Sequence, residues 1–351
     1  MPTPINLKEH PAAELHAQLA ALGVTPALVR RLQASVLRHG KLPEAKTDTS
    51  PRLWARVRAA SVIPHLTLLD KVVSPRDGFA KYLFRGDGPE PFETVRIPLL
   101  HRPADPKYIV CVSSQVGCAL GCVFCRTGQL GFRRNLAAWE IVDQVIQVRD
   151  DSPHPVRGVV FMGMGEPLLN YDAVMRAARI MAESSGLAIA AKAITISTVG
   201  VVPGIRRYTT ERQPYRLVVS LTAADPAQRR ALLPLEAKYP LAELLAALRE
   251  RQAAVGGRVT LAWTMIAGVN TRPEDAARLA KLVGDLPVKL DLVDVNDPDG
   301  HYRPPDADEL NRFRDALTAE LGAPVARRYS GGADIGAACG LLAGRGRLTG
   351  A

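Results

Sequence analysis

Residues 111–125 read CVSSQVGCALGCVFC and contain four of the five cysteines of this 351-residue chain. The last three of them, Cys118, Cys122 and Cys125, are spaced C-x3-C-x2-C. A [4Fe-4S] cluster usually has four cysteine ligands, so three thiolates on one short loop would leave one iron without a protein ligand. The loop therefore predicts a cluster whose open iron binds a small molecule and activates it.

The same loop could instead hold zinc, with a histidine as the fourth ligand. However, zinc sites favour C-x2-C pairs, and the nearest histidines in the sequence are His101 and His154. A disulfide framework is disfavoured, because the cysteine count is odd and the chain is long enough to build its own core. The spacing favours a cluster with an open iron, which is the signature of radical S-adenosylmethionine (SAM) enzymes.

The composition predicts one large domain with a smaller one beside it, because 47% of the 351 residues are hydrophobic. The first residues, MPTPINLKEHPAAEL, lack the basic and apolar regions of a signal peptide. No apolar run approaches the roughly 18 residues that are needed to span a bilayer. We therefore expect a cytoplasmic protein that does not cross a membrane.

An excess of basic residues favours a polyanionic partner. The chain has 45 Lys and Arg residues against 35 Asp and Glu, which gives a formal charge of +10 and a pI near 9.6. Nucleic acid is one such partner, although arginine in an alanine- and leucine-rich sequence can equally reflect genome composition. Charge alone leaves both interpretations open.

The residues before the cysteine loop divide into two predicted parts. Residues 1–60 have apolar positions at helical spacing, with one helix that stops at Gly23 and another that begins after Thr25 and ends at Gly40. They form a predicted helical accessory domain. Residues 61–104 alternate like strands in HLTLLDKVVS, FAKYLFRG and FETVRIPLL, with the turn SPRDG between the first two. They form a predicted short antiparallel linker.

Residues 105–330 repeat a strand-like run and a helix-like run six times, from YIVCVSS to VKLDLVDV. Strands that alternate with helices in this way form parallel βα units. The predicted fold is therefore α/β, a partial (βα)6 barrel whose functional loops lie at the carboxyl ends of its strands. Residues 331–351 form a predicted C-terminal segment that carries Cys339.

Further polar segments follow these strands, namely MGMGEP at 162–167, STVG at 197–200, SLTA at 220–223 and Asn296. Gly163 and Gly165 would let the backbone approach a ligand, and Glu166 could bind its ammonium group. Each segment alone is an ordinary strand-to-helix turn. Together with the cysteine loop, the segments predict a SAM pocket.

The chain resembles, over nearly its whole length, the radical SAM RNA methyltransferases that methylate carbon atoms of adenosine. The resemblance rests on the segments SPRDGFAKYLFRG, FETVRIP, CVSSQVGCALGCVFCRTGQLGF, FMGMGEPLLN, ITISTVGVVPGI and ADIGAACG, in that order. The family includes adenosine-C2 methyltransferases of 23S ribosomal RNA and tRNA, and C8 methyltransferases that confer antibiotic resistance. The resemblance implies methylation of C2 or C8 of an adenosine in rRNA or tRNA.

The resemblance also implies a role for each cysteine. Cys118, Cys122 and Cys125 would hold the [4Fe-4S] cluster, whose free iron binds SAM. Cys339 would take a methyl group from one SAM, and the 5'-deoxyadenosyl radical from a second SAM would remove a hydrogen atom from that methyl group. The methylene radical would add to the adenine ring, and Cys111 would then attack the Cys339 sulfur to release methyladenosine and leave a disulfide.

Glu93 and Cys339 look ordinary without the resemblance. Glu93 alone would be interpreted as a solvated charge at a strand end, and Cys339 as a small buried hydrophobic residue. By resemblance, Glu93 is the acceptor of the adenine ring proton. The SAM contacts that the resemblance implies are Gly165, Glu166, Ser197, Ser220, Leu221, Thr222 and Asn296.

Three stretches depart from the pattern of the family. Thr222 stands where the family usually has histidine, VDVNDPDGHYRPP lacks an aromatic-flanked Asn-Pro, and YSGGADIG replaces a more basic stretch before Cys339. All three fall near the predicted substrate mouth. They therefore bear on the identity of the RNA more than on the chemistry.

The resemblance implies RNA as substrate, an electron donor such as flavodoxin or ferredoxin, and a protein that can act as a monomer. Arg126, Arg133 and Arg134 could contact phosphates, although each alone is more typical of a solvated surface. Two alternatives are a radical SAM methyltransferase with a non-RNA substrate, and an RNA-binding relative that has lost catalysis. Retention of Cys111 and Cys339 argues against the second, because neither is needed to hold a cluster.

Overall fold

The structure, a computed structural model, describes residues 3–44, 50–99, 104–297 and 299–344. The strands of these residues are β1 (Ile5–Asn6), β2 (Ser61–Val62), β3 (Thr67–Val73), β4 (Ala80–Arg85), β5 (Phe92–Pro98), β6 (Tyr108–Cys111), β7 (Gln115–Gly117), β8 (Phe132–Asn135), β9 (Val156–Phe161), β10 (Ile194–Thr198), β11 (Arg216–Ser220), β12 (Val259–Met265), β13 (Val288–Asp294) and β14 (Val325–Arg328). Their α-helices are α1 (Ala12–Leu19), α2 (Pro26–His39), α3 (Pro51–Ala60), α4 (Arg126–Gln129), α5 (Ala138–Asp151), α6 (Tyr171–Ala182), α7 (Val202–Thr210), α8 (Pro226–Leu232), α9 (Leu241–Val255), α10 (Pro273–Val283) and α11 (Ala307–Leu321). Every one of these helices is too short or too polar to cross a lipid bilayer.

The capping residues set the ends of the N-terminal helices. Helix α1 continues as one 3-10 turn and stops at Gly23, whose φ is 82°. Helix α2 begins after Thr25, whose hydroxyl accepts the backbone N–H of Leu28, and ends at Gly40, whose φ is 66°. A side-chain acceptor at the N-terminus and a left-handed glycine at the C-terminus are the preferred caps of a helix. The predicted helix ends are confirmed.

Ten strands form one mixed sheet in the order β14-β13-β12-β11-β10-β9-β6-β5-β4-β3. All neighbouring strands from β6 to β14 are parallel, and helices separate them along the chain. Within the described residues, the two outermost strands β3 and β14 do not pair with each other. The predicted α/β fold with an open, partial barrel is confirmed.

Two features of this sheet differ from the prediction. Strands β3, β4 and β5 are antiparallel as predicted, but they extend the main sheet, because β5 pairs with β6 and sets Val95 opposite Cys111. Strand β14 adds a seventh parallel strand to the six predicted ones. The domain limits at residues 60, 104 and 330 stay predictions, and parts of those domains lie outside the described residues.

Two separate hydrophobic cores support the structure. The larger one fills the space between the sheet and its helices and includes Phe161 and Trp263. The smaller one lies among helices α1, α2 and α3 and includes Leu15, Leu32 and Trp54. The N-terminal residues therefore have apolar packing of their own.

A buried ion pair joins the N-terminal residues to the main sheet layer. The Nζ of Lys8 donates to Oδ1 of Asp143 on helix α5 at 2.6 Å, and both side chains are fully buried. Asp143 Oδ2 also accepts the backbone N–H of Leu66 at 2.8 Å and Nε2 of Gln147 at 2.9 Å. Burial lowers the pKa of Lys8, and the Asp143 carboxylate opposes that effect.

Lys8→Ala is expected to lower the free energy of unfolding by about 3 kcal/mol, because it leaves the Asp143 carboxylate buried without a counter-ion. Lys71→Ala is the matched control: its partner Asp151 lies 2.7 Å away, but both side chains are about one-third exposed. That variant should cost less than about 1 kcal/mol. Urea unfolding followed by circular dichroism measures both, and equal losses would contradict a special role for the Lys8 pair.

Candidate active site

The parallel strands bring the predicted site segments to one rim. The cysteine loop follows β6 and MGMGEP follows β9, whereas STVG and SLTA begin in the last residues of β10 and β11. Asn296 lies just beyond β13, and Ser197 and Ser220 are half-buried at their strand ends. Because neighbouring parallel strands have their carboxyl ends on the same edge, these segments surround one region.

The cysteine loop is shaped by the antiparallel pair β7–β8 and by Gly117. The pairing shifts register at Gly117, whose φ is 71°, and a Cβ there would lie 1.9 Å from the carbonyl oxygen of Gly131. The backbone N–H of Cys118 donates to the same carbonyl at 3.1 Å. Cys125 precedes helix α4, and its N–H donates to the carbonyl of Cys122 at 3.0 Å. Gly117 thus allows the close approach to Gly131 that positions Cys118.

The three loop thiols lie in surroundings that favour their neutral form. Burial raises the pKa of Cys118 to about 12, and it also raises the pKa of Cys122 and Cys125. A coordinated metal reverses this preference, because it deprotonates a thiol outright. Among the described residues, the three sulfur atoms do not all lie within 4.8 Å of one another. One zinc ion would need sulfurs roughly 3.8 Å apart, so the three thiols are not placed for a single zinc ion.

The glycines of MGMGEP pack against the residues that follow β6. A Cβ on Gly163 would lie 2.7 Å from the carbonyl oxygen of Val112, and a Cβ on Gly165 would lie 2.6 Å from the Cβ of Gln115. The Oε1 of Gln115 accepts the backbone N–H of Glu166 at 2.9 Å. These contacts within the protein already require glycine at both positions. The predicted approach of a ligand to these glycines stays a prediction.

Glu166 joins MGMGEP to STVG. Its side chain is buried, with Oε1 accepting the N–H of Leu168 at 3.0 Å and Oε2 accepting the N–H of Val199 at 2.9 Å. Burial raises the pKa of Glu166 to about 7, although these backbone hydrogen bonds favour the ionised form. An ammonium group placed beside it would favour the ionised form further.

Thr222 has a conformation that β-branched residues rarely adopt, with a φ of 63°. The N–H of Ala223 donates to the carbonyl of Leu221 at 2.7 Å across it, which closes a tight three-residue turn. Asn270 Nδ2 donates to the Thr222 carbonyl at 2.7 Å. The hydroxyl of Thr222 is buried and has no hydrogen-bond partner among the described residues. Strained backbone and unpaired buried polar atoms are typical of ligand sites.

Sequence reasoning missed Arg229, which joins two of the predicted SAM segments. It is fully buried on helix α8, and it donates to the carbonyl of Val199 at 2.7 Å and to that of Leu221 at 3.2 Å. Its Nη1 lies 2.5 Å from Oε2 of Glu236. Burial lowers the pKa of Arg229, and the charges of Glu236 and Cys122 oppose this effect. The paired arginines of α8 look like surface residues in the sequence, so no pattern marked this position.

Glu93 and Cys111 lie on the same face of the sheet. Lys81 of β4 is opposite Val95 of β5, and Val95 is opposite Cys111 of β6. Directly opposed residues share a face, as do residues two apart on one strand, so Lys81, Glu93 and Cys111 all lie on it. Burial raises the pKa of Cys111.

Glu93 is fully buried, so it is not a solvated charge at a strand end. Its Oε1 lies 2.9 Å from Nζ of Lys81 and forms an ion pair with it. The geometry of this pair does not make a hydrogen bond. Its Oε2 accepts the backbone N–H groups of Ala343 at 2.6 Å and Gly344 at 3.0 Å. The carboxylate therefore contacts the same C-terminal segment that carries Cys339.

Residues 329–344, which we call the Cys339 segment, lie against this rim. Asn296 Nδ2 donates to the carbonyl of Cys339 at 3.1 Å, and Ser330 Oγ accepts the N–H of Cys339 at 3.1 Å. Cys339 is exposed by surface area, yet desolvation by surrounding protein raises its pKa, with a further contribution from Cys125. The thiol therefore reaches the surface of the site with protein packed around it.

The Cys339 segment is also bonded to the cysteine loop. The backbone N–H of Arg126 donates to the carbonyl of Gly340 at 2.8 Å, and Thr127 Oγ1 donates to the carbonyl of Leu342 at 2.6 Å. Gly340 has a φ of 85°, and a Cβ there would lie 3.2 Å from a backbone oxygen of the cysteine loop. This contact brings the two cysteine-bearing segments together.

Two of the three arginines proposed to contact phosphate already have carboxylate partners. Arg126 Nη2 lies 2.9 Å from both carboxylate oxygens of Asp299, and Arg134 makes two bonds of 2.8 Å to Glu140. Arg133 is exposed. A phosphate at Arg126 or Arg134 would therefore compete with an existing ion pair.

The chain matches known proteins over this same region and beyond. Residues 112–283 match the radical SAM superfamily. A "Probable RNA methyltransferase" of Myxococcus xanthus is 49% identical over 97% of this chain and 94% of its own length. A "Dual-specificity RNA methyltransferase RlmN" of Syntrophobacter fumaroxidans is 39% identical over 97% of this chain and 98% of its own.

The chain belongs to the family of radical SAM RNA methyltransferases. The crystal structure of a radical SAM methyltransferase from Sphaerobacter thermophilus has the same fold, with a TM-score of 0.87 and 37% identity. That likeness covers 97% of this chain and all of the solved one. The family membership that the sequence motifs predicted is confirmed, and the radical SAM family uses SAM and a [4Fe-4S] cluster.

The residues present fit these two groups. Three thiols lie on one loop whose spacing does not suit a single zinc ion, and the unpartnered hydroxyl of Thr222 lies beside the loop ends where SAM is predicted. Radical SAM chemistry needs an iron that the protein leaves free, and three cysteines leave one. The fit therefore agrees with the family.

Gly117→Ala is expected to prevent cluster assembly, because its Cβ would overlap the carbonyl oxygen of Gly131. Gly131→Ala is the matched control: it lies in the same hairpin at a φ of 68°, but nothing lies within 4 Å of the added Cβ. That variant should pay only the left-handed backbone strain of roughly 1–2 kcal/mol. Iron and sulfide per chain after anaerobic reconstitution measure the effect, and equal cluster content in both variants would contradict it.

Proposed function

We propose that this protein methylates a ring carbon, C2 or C8, of an adenosine in rRNA or tRNA through an S-methylcysteine at Cys339. One observation carries the proposal: Cys111 and Cys339 are remote in sequence, yet both lie at the rim that carries the cysteine loop. The segment of Cys339 is bonded to the cysteine loop and to Glu93, and Glu93 shares a sheet face with Cys111. Neither cysteine is needed to hold a cluster, so their position at one site supports a second sulfur chemistry.

When bound, SAM and the reduced cluster supply a methyl group and a 5'-deoxyadenosyl radical. The proposed cluster ligands are Cys118, Cys122 and Cys125. The proposed SAM contacts are Gly165, Glu166, Ser197, Ser220, Leu221, Thr222 and Asn296. Buried Glu166 and Arg229 support these contacts, because they tie the three strand-end segments to one another.

Cys339 acts in this proposal as the methyl carrier. Its thiol must lose a proton before it can attack a methyl group, and desolvation opposes that loss in the protein alone. A cationic ligand bound beside the Cys339 sulfur would favour the thiolate. We therefore infer that ligand binding and activation of Cys339 occur together.

Release of the product requires a base and a second thiol. Glu93 would accept the proton from the adenine ring carbon, and its Oε1 lies 2.9 Å from the Nζ of Lys81. The radical adduct would also give up one electron, for which the bound oxidised cluster is the acceptor. The Cys111 thiolate would then form a bond to the Cys339 sulfur and break the bond between that sulfur and the methylene carbon. The electron pair of the broken bond would go to the methylene carbon, which takes up a proton and becomes the new methyl group.

The proposed partners follow from the same chemistry. The substrate is RNA, and a small electron donor such as flavodoxin or ferredoxin reduces the cluster. We propose that the protein acts in the cytoplasm as a monomer, because no step requires a second copy. Thr222 in place of the family histidine leaves one hydroxyl donor at the SAM pocket.

Cys111→Ala is expected to accumulate a covalent complex between protein and RNA, because nothing remains to attack the Cys339 sulfur. Cys339→Ala should form no such complex while its iron content stays unchanged, since Cys339 is not a cluster ligand. Denaturing gel electrophoresis after incubation with total rRNA and tRNA, SAM and a reductant detects the complex. Chromatography of the digested wild-type RNA against standards of 2-methyladenosine and 8-methyladenosine, with mass detection, distinguishes C2 from C8.

The two alternatives give different results in this experiment. A methyltransferase with a non-RNA substrate would carry a methyl group on Cys339 but form no complex with RNA in the Cys111→Ala variant. A relative that has lost catalysis would have unmodified Cys339. Either result would contradict the proposal.

A further inference from the structure

We propose that Asp77, in the SPRDG turn between β3 and β4, is a positioning residue that holds Cys339 in the site. This inference rests on the proposed function, in which Cys339 carries the methyl group. Asp77 touches neither Cys339 nor any predicted ligand contact. It acts through the residues that precede Cys339 in the chain.

One carboxylate oxygen of Asp77 accepts two hydrogen bonds from the Cys339 segment. Oδ2 accepts the backbone N–H of Gly332 at 2.8 Å and the hydroxyl of Tyr329 at 2.9 Å. Partial burial alone would raise the pKa of Asp77, but hydrogen bonds, among them those from Gly332 and Tyr329, lower it overall. Asp77 is therefore ionised, and a charged acceptor makes stronger hydrogen bonds than a neutral one.

The contact is close-packed. A Cβ on Gly331 would lie 2.5 Å from Asp77 Oδ2 and 2.5 Å from the ring of Phe79. The Tyr329 ring packs edge-on against Phe79, with centroids 6.0 Å apart. The segment can thus reach Asp77 only because glycine stands at position 331.

A second residue of the same turn reinforces the contact. Ser74 Oγ donates to Oδ2 of Asp334 at 3.0 Å, and the backbone N–H groups of Arg76 and Asp77 donate to Ser74 Oγ at 3.2 and 3.4 Å. Ser74 therefore links the shape of the turn to the Cys339 segment.

The fixed residues lie on both sides of the one that bonds Cys339. Ser330 stands between Tyr329 and Gly332, and its Oγ accepts the backbone N–H of Cys339 at 3.1 Å. The same hydroxyl accepts Asn296 Nδ2 at 3.1 Å. Because Asp77 fixes Tyr329 and Gly332, it fixes the position of Ser330 and hence of Cys339.

The test measures position without requiring methyl transfer. Anaerobic protein with reconstituted cluster, never exposed to SAM so that Cys339 is a free thiol, is treated with diamide, and the rate of disulfide formation between Cys111 and Cys339 is followed by peptide mass spectrometry. Asp77→Ala is expected to slow this rate about tenfold, because two hydrogen bonds to a charged acceptor are lost. Tyr329→Phe removes one bond, keeps the ring against Phe79, and should slow the rate by about threefold.

Asp306→Ala is the matched control, because this aspartate also accepts a backbone N–H, that of Glu309 at 2.9 Å, at the start of helix α11. Its rate should equal that of the wild type. A rate for Asp77→Ala at or above the wild-type rate would overturn the proposal. If Asp77→Ala fails to fold, Tyr329→Phe decides, since Tyr329 is largely exposed and its loss should leave the fold intact.

Failure of the proposed function would look different. In that case wild-type Cys339 carries no methyl group, but the disulfide rates still rank the variants. If both are correct, Asp77→Ala also has a lower fraction of methylated Cys339 at unchanged iron content, and Asp306→Ala does not.

Discussion

The site depends on the contact between the Cys339 segment and the cysteine loop. Two main-chain carbonyls of the segment, at Gly340 and Leu342, accept hydrogen bonds from residues of helix α4, which begins directly after Cys125. These bonds fix the segment directly against the loop, and contacts with Asn296, Asp77 and Glu93 hold it on its other sides. With them, the segment that carries Cys339 lies against the loop that begins at Cys111. The proposed attack of Cys111 on the Cys339 sulfur requires this arrangement.

The rim that faces this contact is held by buried polar side chains. Glu166 links MGMGEP to STVG, and Arg229 links STVG to SLTA. Burying such charges is costly unless they are paired and hydrogen-bonded, and each of these has partners. The hydroxyl of Thr222, on a strained backbone, is buried without a hydrogen-bond partner among the described residues. The bonds within the protein thus fix the rim, while the Thr222 hydroxyl stays available to a ligand. Such a rim is arranged before the ligand arrives, which lowers the cost of binding.

Local patterns predicted the parts of the structure that local chemistry determines. Thr25 and Gly40 cap a helix, and six apolar runs form parallel strands, because caps and burial depend on nearby residues. Strand β14 was missed because its sequence, VARR, lies at the sheet edge and has no apolar run. The roles of Arg229 and Asp77 were missed for another reason. Each acts through carbonyl or N–H groups that are distant in sequence, and such groups leave no trace in composition or spacing. The family resemblance supplied Glu93 and Cys339, which no local pattern distinguished from ordinary residues.

Peptide mass spectrometry of Cys339 tests the central claim most directly. The wild-type protein, produced with iron and sulfide and incubated with SAM, is digested and the peptide that contains GAACG is examined. The account predicts an added methyl group on Cys339. The control is reconstituted protein that was never exposed to SAM, in which Cys339 should be unmodified. Unmodified Cys339 in protein with a full cluster and bound SAM would contradict the account, because the methyl carrier would then not exist.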